Sequence, residues 1–384
     1  MSELTTDFIA RTVQAAFDPR FVRALRRCAS LPGNLNMSVH PDDQMLTHSL
    51  REHRDIGAAL SQYFNLSLQQ YDAVSQILRA LFPGATQDID LLDFACGYGR
   101  LLRMLVTAMP AQRIWASELQ AEANVFVARE FGVRNLPSHA EPGEFNPAQR
   151  FDFIWVASLF THLPEHLFHA WLQRLYGLLK PYGVLCFSVR DVAQLGAAAA
   201  SPASGFLYHG ASENAGLSSE IYGTAYADKG FVERASRAVA GADARTWHLP
   251  RALANEQDLY LLERGNTRAP SCLQGFRRGA WGWVDRRNLS CDGELYLEGW
   301  AGSQDEGAAE HLEIRVDDGA VLRLQPHIAR PDVEAVFGDA RLAHSGWRLR
   351  EKVTARGSAF VEVISHAAAG PPALLYAGEI CTSD

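Results

Sequence analysis

Apolar and polar positions along this chain change their period twice. Up to about residue 84 the stretches "HPDDQMLTHSLREHRDIGAALSQYF" and "SLQQYDAVSQILRALF" keep apolar residues on one helical face, and Pro83-Gly84 closes the second. Short apolar runs then alternate with helical stretches. The runs "IDLLDFA", "RIWASE", "FDFIWVA" and "YGVLCFSV" predict strands; "RLLRMLVTAM", "QAEANVFVAREF" and "PEHLFHAWLQRLYGLLK" predict the helices between them. In the last helix Phe168, Trp171, Leu172, Leu175 and Leu179 form one stripe that Lys180-Pro181 closes. Strands alternating with helices imply an α/β fold, a doubly wound parallel sheet covered on both faces.

The alternation stops at "QLGAAAASPASG", which reads as a loop. "DKGFVERASRAVAG" predicts another helix, and "ARTWHLP" and "EQDLYLLERG" two closing strands. Past Gly265 no helical pattern of comparable length follows. "GAWGWVD", "GELYLEGWAG", "HLEIRVDDGAVLRL", "SGWRLREKV" and "AFVEVISH" predict an all-β domain of sandwich type after the linker "RGNTRAPS". The expected division is therefore a helical lid or substrate region over 1–84, an α/β domain over 85–268 and a β-sandwich over 270–384.

Composition narrows the function classes. An apolar share of 47% and a charged share of 21% are those of an ordinary soluble globular protein. A net charge of -8 argues against general nucleic-acid binding, which needs many Lys and Arg contacts. Arg20, Arg23 and Arg27 lie at helical spacing and read as a solvated face. No stretch is long and apolar enough to span a membrane, and the first residues lack a secretory apolar core. The six cysteines show no C-x-x-C and no His/Cys metal spacing, so free thiols, a cytoplasmic location and no metal are expected.

The chemistry-bearing stretch is "LLDFACGYGRLLRML". A strand ending in Asp93 runs through Gly97 and Gly99 into a helix, a ready site for an anion or nucleotide. A nicotinamide fingerprint from Gly97 would need glycine at 102, which is Leu102. An acid-x-G-x-G-x-G spacing fits better, with Asp93, Ala95, Gly97 and Gly99 in register. Tyr176 and Lys180 match a Tyr-x-x-x-Lys dehydrogenase pair by coincidence, since no matching glycine fingerprint exists.

On these residues the chain resembles class I S-adenosylmethionine-dependent methyltransferases over roughly residues 40 to 265. The resemblance extends to "RIWASE", "FDFIWVASLFTHLPE" and "LYGLLKPYGVLCFSV". It implies a Rossmann-like fold with S-adenosylmethionine bound by Asp93, Ala95, Cys96, Gly97, Gly99, Glu118, Leu119 and Ser158, Glu118 taking the ribose hydroxyls. The adenine contact falls among Ser138, His139 and Glu141. Two positions depart from the family pattern. Ala95 replaces the first glycine, tolerable at negative φ, and Tyr182 replaces a glycine in the Lys-Pro-Gly-Gly turn. "SENAGLSSEIYGTAY" and "NEQDLYLLER" resemble a bacterial subgroup linked to surface-glycan biosynthesis. "LEGWAGS", "RPDVEAVFG" and "SGWRL" resemble a β-sandwich accessory module of glycan-modifying transferases.

A hydroxyl acceptor needs its proton removed during transfer. His162, after the fourth strand, is the leading base candidate. The same "THLPE" also reads as a helix start with Thr161 as cap and His162 as packing. Asp191 and Glu213 are the other catalytic candidates, and Tyr222 would orient the acceptor. His40 precedes a helix expected as a lid, with Asp42 as its cap. Trp283, Trp300 and Trp347 offer either sugar-stacking faces or sandwich core. The resulting expectation is O-methyl transfer to a sugar of a cell-surface polysaccharide or its precursor. The alternatives are a phenolic or natural-product small-molecule acceptor, or a non-catalytic glycan-binding scaffold.

Overall fold

The computed structural model describes residues 4–29, 31, 35–196, 203–210, 218–241, 245–265, 267–354 and 357–383. The chain forms two compact units, residues 1–72 with 277–384, and residues 73–276. This departs from the three-part expectation: the N-terminal helices group with the C-terminal strands rather than forming a region of their own. These helices are α1 (Thr6–Ala15), α2 (Pro19–Cys28), α3 (Gln44–His53) and α4 (Ile56–Leu81), the last continuing into the second unit. The single helical stretch expected over 40–64 breaks at Arg54, which takes φ 54, and Asp55 opens α4 by accepting the Ala58 N–H at 2.7 Å. Asp43, not Asp42, caps α3, accepting the Met45 N–H at 2.9 Å.

In the second unit the strands are β1 (Leu91–Phe94), β2 (Ile114–Ser117), β3 (Arg134–Asn135), β4 (Phe151–Val156), β5 (Leu179–Val189), β6 (Phe206–His209), β7 (Thr224–Ala227), β8 (Thr246–Leu253) and β9 (Gln257–Glu263). Seven of them form one sheet in the order β3-β2-β1-β4-β5-β9-β8, with β1 to β5 parallel and β9 antiparallel to both neighbours. The helices are α5 (Leu102–Ala108), α6 (Ala121–Phe131), α7 (Glu165–Gly177) and α8 (Lys229–Ala240). Phe168, Trp171, Leu172 and Leu175 of α7 are buried with Phe160, Phe187 and Phe231 in one aromatic-rich cluster, but α7 ends at Gly177, and Leu179, expected in the same helix, opens β5 and joins the cluster from there. The hairpin β6–β7, absent from the sequence expectation, joins that cluster through Phe206 and Ala225. Residues 197–202 of "QLGAAAASPASG" lie outside the described residues. Tyr182 holds φ 65, a left-handed turn where glycine carries less strain.

The first unit continues with β10 (Trp281–Ser290), β11 (Glu294–Ser303), β12 (Gly307–Ala308), β13 (His311–Val316), β14 (Leu322–Leu324), α9 (Pro331–Phe337), β15 (Gly346–Lys352), β16 (Ser358–His366) and β17 (Ala373–Ser383). The expected sandwich is one continuous eight-stranded sheet, whose halves meet where β10 and β17 pair at two positions. Leu295, Leu297 and Trp347 from one half share a core with Leu312, Ile314, Val361 and Val363 from the other. Trp347 is thus core, while Trp283 and Trp300 are directly opposed and partly exposed.

The N-terminal helices pack on this sheet. A Cβ built on Gly378 of β17 would lie 2.6 Å from the Gly57 Cα of α4, so two glycines let backbone meet backbone. Asn65 and Ser61 of α4 accept the Leu374 and Ala377 N–H groups at 3.0 and 2.7 Å. The arginine face of α2 is not solvated as expected. Arg27 meets Glu313 at 2.6 Å and the buried Glu362 at 2.8 Å, and Arg20 stacks over Phe360. Residues 1–268 expressed alone are therefore expected to be less soluble than the full chain, because truncation bares this helical face. Soluble, cooperatively melting 1–268 would contradict that packing.

Candidate active site

Register places the site at the carboxyl edge of the seven-stranded sheet. Asp93 of β1 lies beside Ala116 of β2 and Trp155 of β4, so the segments leaving these three strands emerge side by side. Asp93 is buried; burial first, and the neighbouring Glu118 charge second, push its carboxyl up to about 8. The proton-bound form is thus favoured in the folded protein. Its contribution to stability is complete below the ordinary value of 3.8 and is lost as pH rises through about 8. Without ligand, the melting temperature is expected to fall as pH rises from 4 to 9, and Asp93→Asn to flatten that slope. Parallel slopes for the two proteins would contradict the shift.

The turn after β1 is left-handed at three alternate residues: Ala95 at φ 58, Gly97 at 55 and Gly99 at 79. Ala95 was expected at negative φ; instead its methyl sits in a conformation that costs about 1–2 kcal/mol for an L-residue. A Cβ on Gly97 meets nothing within 4 Å, whereas one on Gly99 would lie 2.5 Å from Phe131. Gly99→Ala is therefore expected to destabilise by about 2–5 kcal/mol, through strain plus overpacking. Gly97→Ala carries only the strain of about 1–2 kcal/mol. Denaturant unfolding of both variants checks the difference, and equal losses would contradict it.

Glu118, just past β2, ties two turns together. Its Oε2 accepts the Gly97 N–H at 2.9 Å, and Oε1 accepts those of Leu119 and Gln120 at 2.7 and 3.2 Å. Beside it the Leu119 side chain is 41% exposed, open apolar surface next to a carboxylate. Cys96 donates its N–H to the Ser117 carbonyl at 3.2 Å, and burial pushes its thiol well up. Of the adenine candidates, Ser138 is tied to this region, its N–H reaching the Glu118 carbonyl at 3.0 Å. His139 lies near Glu144, and Glu141 is exposed. Open space at Gly97 beside a partly buried acid fits a nucleoside carrying a vicinal diol.

Ser158, after β4, is also left-handed at φ 61. Its N–H donates to Ser188 Oγ at 2.7 Å, Ser188 Oγ donates to Gln257 Oε1 at 2.7 Å, and Gln257 Nε2 donates back to Ser158 Oγ at 3.1 Å. This ring joins the edges of β4, β5 and β9. Neither Ser188 nor Gln257 carries a sequence signal for this ring, although Gln257 lies within "NEQDLYLLER". The missing information was that β9 runs antiparallel, which brings its first residue to the carboxyl edge.

His162 is buried, its Nδ1 2.7 Å from the Gly223 carbonyl and its ring stacked on Tyr222 at 4.5 Å and 9°. A carbonyl only accepts, so Nδ1 carries a proton, and in the neutral tautomer Nε2 is then the basic nitrogen. Backbone bonds from Gly223 to His162 and from Ala225 to Thr161 lay hairpin β6–β7 along this segment. Thr161 is not a helix cap: its hydroxyl donates to the Ser158 carbonyl at 2.5 Å, and α7 starts after Pro164. Asp191 caps the short turn Val192–Leu195 through the Ala193 N–H at 2.8 Å. Glu213 lies outside the described residues. Lys180 pairs with Asp90 and Asp152 at 2.6 and 2.7 Å, an ion cluster at the opposite edge of the sheet.

Residues 66–227 match the family described as a methyltransferase domain. The malonyl-[acyl-carrier protein] O-methyltransferase of Calditerrivibrio nitroreducens is 29% identical over 99 residues, 26% of this chain and 37% of that protein. The chain thus spans little more than a third of that curated relative. Among solved structures, the 1,6-didemethyltoxoflavin-N1-methyltransferase of Burkholderia thailandensis is 16% identical, with a TM-score of 0.37 over 57% of this chain and 85% of that one. CalS10, an amino pentose methyltransferase from Micromonospora echinaspora, is 16% identical, with a TM-score of 0.38 over 51% and 90%. The Rossmann-like sheet, its glycine turn and the match over residues 66–227 support a class I S-adenosylmethionine-dependent methyltransferase domain within the chain. S-adenosylmethionine is its cofactor.

Proposed function

We propose that this protein transfers a methyl group to a hydroxyl of a saccharide, one belonging to a bacterial surface polysaccharide or its precursor. The observation that carries the hydroxyl acceptor is the His162 Nδ1 contact to the Gly223 carbonyl at 2.7 Å, which leaves Nε2 as the basic nitrogen. The saccharide class is supported by the sequence resemblance of "SENAGLSSEIYGTAY" and "NEQDLYLLER" to glycan-associated proteins. Asp93, the turn Ala95–Gly99, Glu118, Leu119 and Ser158 hold the cofactor, Glu118 accepting from the ribose hydroxyls. S-adenosylmethionine supplies an electrophilic methyl, so no metal is needed for that half of the reaction. His162 Nε2 removes the hydroxyl proton while Tyr222, stacked on the ring, keeps the imidazole plane fixed.

A second reading, an acidic acceptor, is favoured by the malonyl-[acyl-carrier protein] O-methyltransferase relative. A carboxylate carries no proton to remove, so it needs no base. Incubation with methyl-labelled S-adenosylmethionine and panels of saccharides, phenols and carboxylic acids separates the readings. The proposal expects label on saccharide oxygen. Label on phenols or carboxylates alone would overturn it.

Among the described residues no helix is long and apolar enough to cross a membrane. Taking the reaction to occur in the cytoplasm agrees with a nucleoside cofactor, and is part of this proposal.

A further inference from the structure

The eight-stranded sheet brings together three side chains that no linear spacing connects. His311 and Glu313 sit two apart on β13 and so face the same side. Antiparallel pairing sets His366 of β16 directly across from His311. The Glu313 carboxylate lies 3.9 Å from His311 Nε2 and 3.7 Å from His366 Nε2. One donor atom from each residue falls within 4.8 Å of the others. His366 Nε2 is buried and has no hydrogen-bond partner among the described residues. At 3.7 Å it is too far from the carboxylate to bond it, yet a buried ring nitrogen without a partner is costly.

The geometry points to a binding site for one divalent transition-metal ion of the zinc class, ligated by His311, Glu313 and His366, in the C-terminal part of the first unit. Two nitrogen or oxygen ligands on a tetrahedral zinc lie about 3.4 Å apart, given bonds of about 2.0–2.1 Å. The two histidine–carboxylate separations, each to a different oxygen of Glu313, are 3.9 and 3.7 Å, and the three donor atoms lie within 4.8 Å, so binding requires the side chains to draw together. Two imidazoles and a carboxylate are borderline-soft and hard donors that suit zinc and leave a fourth position for water.

Two features of the surroundings shape the site. The imidazoles are stacked at 4.6 Å and 5°, so their lone pairs run side by side, and ligation requires the rings to tilt toward each other. Rotation about χ2 of histidine is soft, so the tilt is accessible. Glu313 also accepts from Arg27 at 2.6 Å and from Arg323 at 2.8 Å. A carboxylate has about four lone-pair sites, so both guanidiniums can stay as outer partners that orient it. Their positive charge sets the affinity below that of an anionic site. A bound ion would fasten β13 to β16 and, through Arg27, to α2.

The test uses the full chain, stripped with chelator and dialysed against zinc chloride. One zinc per chain is expected, with a rise in melting temperature. His311→Ala and His366→Ala should each weaken binding at least about tenfold. His327→Ala, on an exposed ring bonded only within its own loop, should leave binding unchanged. Unchanged cooperative melting of the metal-free variants and unchanged far-UV circular dichroism show that folding is intact. Cobalt substitution separates thiol sites, since Cys291 and Cys381 are exposed. Tetrahedral d–d bands without sulfur-to-metal charge transfer support the site. Failure to retain zinc, or thiolate charge transfer that both histidine variants keep, would overturn it.

Discussion

His162→Ala lowers the turnover rate by about 100-fold or more while cofactor affinity stays within error, if this ring is the general base. The ring meets the Gly223 carbonyl at Nδ1 and stacks on the Tyr222 face, and backbone bonds to Leu159 and Gly223 hold the main chain beneath it. These fix both its tautomer and its plane, as a base acting in one direction requires. Raising the pH should restore part of the lost rate, because hydroxide can replace the imidazole. His162→Gln gives a control of similar length that can still meet the Gly223 carbonyl but cannot act as base. Full turnover with a lower melting temperature would assign His162 to packing of the hairpin β6–β7. It would also favour an acidic acceptor over a hydroxyl.

Glu118→Ala is expected to weaken S-adenosylmethionine binding by about 1.5–3 kcal/mol, the range for hydrogen bonds to a charged group. Calorimetric titration measures it. The same substitution leaves the Gly97, Leu119 and Gln120 N–H groups without their acceptor, so the loss has two sources. Glu118→Gln separates them, since an amide oxygen can still accept from the turn but carries no charge to meet the ribose diol. An intermediate loss is expected for it. Unchanged affinity in a folded Glu118→Ala protein would remove this residue from the site.

Much of the α/β unit was legible because β1, β2, β4 and β5 carry short apolar runs and each helix between them keeps one stripe; β3 and the hairpin β6–β7 lack such runs. The glycine turn was legible for the same reason: Asp93, Gly97 and Gly99 are residue types whose spacing has few other uses. Local pattern failed where long-range packing decides. The Arg20, Arg23 and Arg27 spacing is that of a solvated face, yet Glu362 and Glu313, nearly 300 or more positions away, receive it. Gly57 and Gly378 are unremarkable in sequence and meaningful only as a pair. The φ of Ala95 was misjudged because a methyl at positive φ is tolerated where the surrounding turn demands it. Gln257 was hidden because its place at the edge depends on strand direction, which periodicity does not report.

S-adenosylmethionine is proposed to bind at the turn Ala95–Gly99 and Glu118. Calorimetric titration of the full chain with that compound, alone and with S-adenosylhomocysteine as competitor, tests it most directly. One saturable site per chain is expected, displaced by the competitor and weakened by Glu118→Ala. No saturable binding up to millimolar cofactor, by a protein that melts cooperatively, would contradict it.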